Sequence, residues 1–360
     1  MEKLFKDGEL KQFCKEVFLY MGCSENDAEL SSDVLISADL RGVDSHGVAR
    51  LSGYFRLWES NRINTKPEIK TIWETPSTAS IDADRALGLV SSPFAMDIAI
   101  KKAKDVGTGW VSVQNSNHFG IAAYHAMRAL KEDMIGIALT NASALVSPTF
   151  SKDRLLGTNP ICVVIPANKE NAFVADMATT TAANGKLEIL QRKKINAPEG
   201  WMQDKDGNPS IDPNELKNGG AMLPLGGDRI HGSHKGYALG AIVDIFSAVL
   251  SGANYGPWVP PFVSFLPVPD NPVGKGIGHF FGAMRIDAFR APDEFKNHMD
   301  NWIRTFKNSS RINENQEVII PGEPEIALEK ERKEKGIPLL YKVIEDLKGI
   351  SAKSKVAFPD

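Results

Sequence analysis

Gly109-Trp-Val-Ser-Val-Gln114, Asn115-Ser-Asn-His-Phe-Gly120, Ile121-Ala-Ala-Tyr-His-Ala-Met-Arg-Ala-Leu130 and Met134-Ile-Gly-Ile-Ala-Leu-Thr140 follow one another almost without a spacer. The first and last are β-rich runs, and the polar turn and alanine-rich segment between them have the composition of a strand-to-helix loop and a helix. Such an order predicts Ile121–Leu130 as a crossover helix joining two parallel strands. Further β-rich runs at Thr78–Ile81, Ile161–Ile165 and Phe173–Asp176 extend the pattern, so the chain from residue 78 onward is predicted as an α/β region.

The sixty or so residues at the start read differently. Leu10, Phe13, Cys14, Val17, Phe18 and Met21 follow helical spacing, and Ser24-Glu-Asn-Asp27 has the form of an N-cap for a second helix running to about Leu40. Gly42 is placed to end that helix. Asp44 or Ser45 is then predicted to cap a third helix with an apolar face of Leu51, Tyr54, Phe55 and Trp58. Pro198–Gly227 is predicted as a polar loop, and Asn254–Pro272 as irregular because Pro257, Pro260, Pro261, Pro267, Pro269 and Pro272 interrupt it. Tyr237–Leu250, interrupted by Asp244, is too short to span a membrane and is predicted as a buried helix. The tail from Glu323 is charged and predicted to be partly helical. The expected organisation is a helical region 1–75, a central α/β region 76–284 and a C-terminal segment 285–360 that completes the first.

Composition narrows the function. With 42 Lys+Arg against 45 Asp+Glu and a net charge of −3, the chain lacks the basic footprint of a nucleic-acid binder. Its three cysteines, Cys14, Cys23 and Cys162, form no CxxC or Cys/His spacing, which suits a reducing compartment and not a disulfide framework. The N-terminus has neither a signal-peptide core nor transit-peptide character, so a cytoplasmic location is expected.

Several short segments carry possible chemistry. In Asp44-Ser-His-Gly-Val-Ala-Arg50, His46 and Arg50 are four apart at a predicted helix start, so both should project from nearly the same face. An imidazole can move the proton of a substrate oxygen while a guanidinium holds a carboxylate by two parallel hydrogen bonds. The plainer alternative is a capping histidine and a solvated arginine. His118 lies in the loop leaving a strand, where ligands of open α/β sheets bind, or else in an ordinary polar turn. His125 fits a core or surface position better. Gly157-Thr158-Asn-Pro160 and Asp176-Met-Ala-Thr-Thr-Thr181 are tight polar turns that let a cofactor approach the backbone, and Lys235 opens an apolar helix where a phosphate can sit. GxGxxG, GxxxxGK[ST] and HExxH are all absent, which argues against a standard dinucleotide, P-loop or zinc site.

Taken in order, Asp44-Ser-His-Gly-Val-Ala-Arg-Leu51, Asn117-His-Phe-Gly120, Leu156-Gly-Thr-Asn-Pro160, Asp176-Met-Ala178, Lys235-Gly-Tyr237 and Pro321-Gly-Glu323 resemble the malate/L-lactate dehydrogenase family. That family is distinct from the Rossmann dehydrogenases and also holds ureidoglycolate and sulfolactate dehydrogenases and some keto-acid and cyclic-imine reductases. The resemblance implies a non-Rossmann α/β fold, a mixed sheet with flanking helices plus a helical region from the chain ends. It also implies a homodimer with NAD or NADP in a cleft between those parts. By the same resemblance His46 and His118 look catalytic, Arg50 and Thr158 substrate-binding, and Asp176, Met177, Ala178, Lys235, Pro321, Gly322 and Glu323 cofactor contacts. Two departures stand out: Gly227–His234 is longer than the expected glycine turn, with Ala238 in place of a glycine, and Ala144 replaces a proline.

The expected activity is NAD(P)-dependent interconversion of a small 2-hydroxy acid and its 2-oxo acid, malate/oxaloacetate first and lactate-like acids next. The alternative within the fold is an NAD(P)H-dependent keto-acid or cyclic-imine reductase. From other classes come a metal-dependent hydrolase or lyase built on Asp44, His46 and His118, and a non-catalytic binding protein.

Overall fold

The structure, a computed structural model, describes residues 2–359. Strand β1 (Glu2–Phe5) leads into helices α1 (Asp7–Tyr20) and α2 (Glu25–Leu40). The apolar spacing of α1 is matched by the burial of Leu10, Phe13, Cys14, Val17 and Phe18. Ser24 caps α2, its Oγ accepting from the Asp27 amide at 3.1 Å, and Gly42 with φ 76° lies just beyond the helix end. The third helix starts later than its sequence suggests. A 3-10 turn, Val48–Arg50, runs into α3 (Leu51–Glu59), and neither Asp44 nor Ser45 caps it. Asp44 instead pairs with Arg332, and the carboxyl of Asp39 accepts the Val48 amide at 2.7 Å. His46 therefore precedes the helix and does not share a helical face with Arg50.

The central sheet has seven strands in the order β2 (Lys70–Glu74), β3 (Thr78–Asp82), β4 (Thr108–Ser116), β11 (Ile277–Arg285), β5 (Met134–Thr140), β6 (Ile161–Ile165) and β7 (Phe173–Met177). Helix α4 (Gly88–Val106) connects β3 and β4, the one parallel pair of neighbours in this sheet; all other neighbours are antiparallel. The expected crossover between β4 and β5 holds in its direction but not in the length of its helix. Those strands run the same way but are separated by β11, and their connection is a short α5 (Ala122–Ala126) followed by a 3-10 turn, Met127–Glu132. Gly278 and Gly282 dilute the β signal of β11, so the strand at the centre of the sheet is the least visible in sequence.

Two other expectations are overturned. The polar stretch 198–227 contains a small sheet of β8 (Met202–Gln203), β9 (Pro209–Ser210) and β10 (Ala221–Met222), which follows α6 (Asn184–Lys193). Its buried Met202 and Met222 join a compact cluster with Leu145, Leu156 and Leu187. The stretch Tyr237–Leu250 is helical, as α7 (Ser233–Asp244) and a π turn, Ile245–Val249, but it is not buried. Tyr237, Ile242, Ile245, Phe246, Val249 and Leu250 are exposed, whereas Asp244 is inside. Periodicity cannot reveal that inversion, because Asp244 is accommodated by tertiary hydrogen bonds from Asn141 Nδ2 (3.1 Å) and the Gly256 amide (2.9 Å).

After β11 come α8 (Pro292–Lys307), α9 (Glu323–Lys335), β12 (Ile337–Leu340) and α10 (Tyr341–Ser354). Antiparallel pairing of β12 with β1 ties the chain ends together. One core cluster is consequently built from both ends, with Phe13, Phe18 and Tyr54 packed in the same group as Ile337, Leu347 and Ile350. Each such side chain contributes about 1.5–3 kcal/mol on burial. A second cluster fills the space between the sheet and helices α4 and α5.

Candidate active site

The loop after β4 is pinned by side-chain amides. Asn117 Nδ2 donates to the carbonyls of Arg85 (3.0 Å) and Ala86 (2.9 Å), and Asn115 Nδ2 donates to Asp82 Oδ1 at 2.7 Å. Between these anchors and α5 the loop presents His118. Its Nδ1 lies 2.6 Å from the Tyr54 hydroxyl and 3.3 Å from the Gly120 amide. The Gly120 amide can only donate and favours Nδ1 as acceptor, whereas the closer Tyr54 hydroxyl serves Nδ1 in either tautomer. Phe262 stacks on the imidazole with ring centroids 4.4 Å apart. That approach depends on Gly53, where a Cβ would stand 2.3 Å from the Phe262 ring.

His46 lies nearly parallel to His118, at 5.5 Å and 19°, with Nδ1 2.9 Å from Ser45 Oγ. Both residues are half-buried, and the protein around them disfavours a charge. Burial, with Arg50 adding to it, lowers His46 to about 3. Burial, then the neighbouring His46 and Arg50, holds His118 well below the usual histidine range. Two neutral imidazoles therefore face a permanent cation. Arg50 Nε donates to the Ser45 carbonyl, and Nη1 reaches Glu188 Oε1 at 3.3 Å. A cleft of about 820 Å³ passes Ser45, Arg50, Gly53 and Phe262 to Glu188 and Arg192 on α6; the histidine rings border it only through these neighbours.

The remaining candidates form a second group. Thr179 donates its amide (2.9 Å) and hydroxyl (3.1 Å) to the Thr158 carbonyl, which sets Thr158 beside the turn after Asp176, Met177 and Ala178. The Pro321 carbonyl accepts the Val174 amide at 3.0 Å, so the Pro321-Gly322-Glu323 turn abuts β7. Glu323 is bound to Lys307 and to the Ile320 amide. Asn159 Nδ2 donates to the Gly240 carbonyl at 2.9 Å, bringing α7 to the same edge. Lys235, in the first turn of α7, is exposed and makes no ion pair among the described residues. The two groups meet where Asp176 Oδ2 accepts the Ala123 amide at 2.8 Å, just beyond the His118 loop.

Three residues of this site escaped the sequence analysis as functional groups. Tyr54 reads in the sequence as part of an apolar face, although its place one turn after Arg50 is a usable signal. Phe262 comes from the proline-rich segment and Glu188 from α6, and nothing local marks either one. Asp44 does not join the histidines, being turned to Arg332, and no cluster of three or more His, Cys, Asp or Glu suited to a metal occurs among the described residues.

A mixed sheet without a glycine-rich phosphate turn, closed by paired chain ends and bearing two imidazoles beside a guanidinium, defines a non-Rossmann α/β class. The sequence matches the malate/L-lactate dehydrogenase family over residues 5–348. It is 42% identical to malate dehydrogenase of Pyrococcus horikoshii, over 95% of this chain and 93% of that one. Identity to L-sulfolactate dehydrogenase of Methanocaldococcus jannaschii is 40%, over 90% of each chain. The solved malate dehydrogenase of Entamoeba histolytica superposes with a TM-score of 0.92 at 33% identity, covering 100% of both chains. The chain belongs to the malate/L-lactate dehydrogenase family.

Proposed function

We propose that the protein is an NAD(P)-dependent dehydrogenase interconverting a small 2-hydroxy acid and its 2-oxo acid, with malate and oxaloacetate the leading pair and lactate-like acids next. The observation that carries this reading is the pair of stacked histidines beside Arg50. In this reading the chain ends, residues 1–75 and 285–360, supply one wall of the site and residues 76–284 the other. Arg50 holds the substrate carboxylate, with Thr158 as a further substrate contact. His118 takes the hydroxyl proton in oxidation and returns it in reduction. Its Nε2 must then offer a lone pair, which requires the proton on Nδ1, and the Tyr54 hydroxyl can accept there as well as donate. His46 flanks the same ring and is the second candidate for proton transfer.

The cofactor fits the second group. Met177 is exposed at the end of β7, and α7 starts at Gly232 without a side-chain cap and with Lys235 free in its first turn, as a bound phosphate would require. Asp176, Met177, Ala178, Lys235 and Pro321-Gly322-Glu323 would hold it. Bound there, a nicotinamide supplies the hydride acceptor or donor.

A homodimer is part of the proposal, supported by the exposed apolar face of α7 and the π turn, and the buried free cysteines suit a cytoplasmic location. No helix is long and apolar enough to cross a membrane among the described residues. The test is a panel of 2-oxo acids assayed with both NADH and NADPH. Oxaloacetate should be reduced fastest; absence of turnover with every 2-oxo acid and either cofactor would reject the reading.

A further inference from the structure

Two of the three guanidinium nitrogens of Arg50 already have an acceptor. A two-point grip on a carboxylate needs two adjacent N–H groups, either Nε with Nη2 or Nη1 with Nη2. The Ser45 carbonyl takes Nε, and Glu188 Oε1 takes Nη1. The Ser45 contact is short-range and made by backbone. Glu188 is different: it comes from α6, across the cleft, and its side chain is 30% exposed. Asn184 Nδ2 donates to the same Oε1 at 2.9 Å, aiming the carboxylate at Arg50. Gly185 permits the close seat of α6, since a Cβ there would lie 2.3 Å from Ser45 Cβ and 3.1 Å from Arg50 Nη2. One turn further along the helix, Arg192 lines the same cleft and makes no ion pair among the described residues. Glu188 and Arg192 are thus an i,i+4 acid–base pair in the favourable order, giving the glutamate a second partner once it leaves Arg50.

We propose that Glu188 is an internal carboxylate that competes with the substrate for Arg50, released toward Arg192 when a 2-oxo acid binds. The proposal rests on Arg50 being the carboxylate clamp. In the resting arrangement the buried end of the cation is neutralised by Glu188, so an incoming carboxylate replaces a like group and does not meet a bare guanidinium. The consequence is a specificity filter. A ligand must present a carboxylate good enough to displace Glu188, which favours bidentate 2-oxo acids over weaker anions such as chloride.

The test is a double-mutant cycle on the full-length enzyme with oxaloacetate, with competitive inhibition by oxalate as a second reading of carboxylate affinity that does not involve its own conversion. Glu188→Gln keeps the shape and removes the competing charge. It should lower KM and the oxalate inhibition constant by about two- to fivefold, the size of one partly exposed ion pair, with kcat unchanged. In an Arg50→Ala background the same substitution should have no effect. A Glu188→Gln enzyme with unchanged or raised KM, or with lowered kcat, would overturn the proposal, because Glu188 would then be inert or an aligner of Arg50. An equal gain in the Arg50→Ala background would also overturn it, as a general charge effect. Should Arg50→Ala leave KM and oxalate inhibition untouched, the clamp itself fails, and that outcome is distinct from failure of Glu188 alone.

Discussion

At the level of single residues, hydrogen-bond direction decides more than proximity. His125 shows this simply: its Nε2 faces only the Phe119 carbonyl at 2.7 Å, so the proton is there and Nδ1 is left as a buried acceptor without a partner. For His118 the Tyr54 hydroxyl is the one neighbour able to serve either tautomer. Tyr54→Phe should therefore lower kcat/KM roughly fivefold or more, the worth of about one neutral hydrogen bond. Steady-state kinetics equal to wild type would remove Tyr54 from the proton path. Arg50 invites a different substitution. Arg50→Lys keeps the charge but loses the planar fork, and kcat/KM for oxaloacetate should fall at least roughly tenfold, about 1.4 kcal/mol, while NAD(P)H affinity measured by fluorescence titration stays unchanged. Unaltered kcat/KM would make Arg50 a solvated residue and move the clamp elsewhere.

Between elements, a buried chain of polar groups links α4, β4, β11 and β5. Thr140 Oγ1 is close to two carbonyls, those of Asn141 (2.9 Å) and Gly278 (3.0 Å), and can donate its one hydrogen to either. When it does, His279 Nδ1, 2.7 Å away, donates to Thr140 and its Nε2 accepts from Ser116 at 2.8 Å. Ser116 in turn accepts from Ser91 at 2.8 Å. The chain pins the end of β4, and with it the His118 loop, to the sheet's central strand. His279→Phe removes both ring contacts while keeping an aromatic beside Phe119. It should cost about 2–3 kcal/mol in urea unfolding, since polar groups are left unpaired in the core. A variant as stable as wild type would mean that the serine and threonine hydroxyls find other partners.

For the molecule as a whole, buried titratable groups give stability a defined pH course. His125 and His279 are fully buried, and burial lowers each from 6.5 to about 3. Between those values the unfolded chain holds protons that the folded one refuses, so stability should drop as pH falls below about 6.5, by up to about 1.4 kcal/mol per pH unit for each. Asp39 acts in the opposite sense. Burial raises it from 3.8 to about 8, so its contribution is complete below 3.8 and is lost as pH rises through 8. Urea midpoints measured across pH 4–9 should therefore peak near 6.5, with the alkaline decline reduced in Asp39→Asn. A midpoint still rising from pH 6.5 to 8 in wild type would contradict the assignment to Asp39. The proposed dimer is testable at the same scale. Phe246, 44% exposed beside Ile245 and Val249, should be covered by the second copy. Phe246→Asp should sediment as a monomer where wild type sediments as a dimer; a monomeric wild type at micromolar concentration would refute that use of the face.

Local pattern determined the helices α1 and α2, the Ser24 cap, most strands of the sheet and the segments that carry His46, Arg50, His118 and Lys235, because helical and strand periods, caps and turn residues act over a few positions. The ordered motifs also pointed to the family. Only tertiary structure decided that β11 inserts between β4 and β5, that Asp244 goes inside while the apolar residues around it stay outside, and that His46 precedes its helix. It alone brought Tyr54 to His118, Phe262 to the same ring and Glu188 to Arg50. These outcomes depend on partners 64, 144 and 138 residues apart in the chain. At such separations the deciding terms are pairing across the sheet and the pairing of buried polar groups, and neither leaves a local signature in sequence.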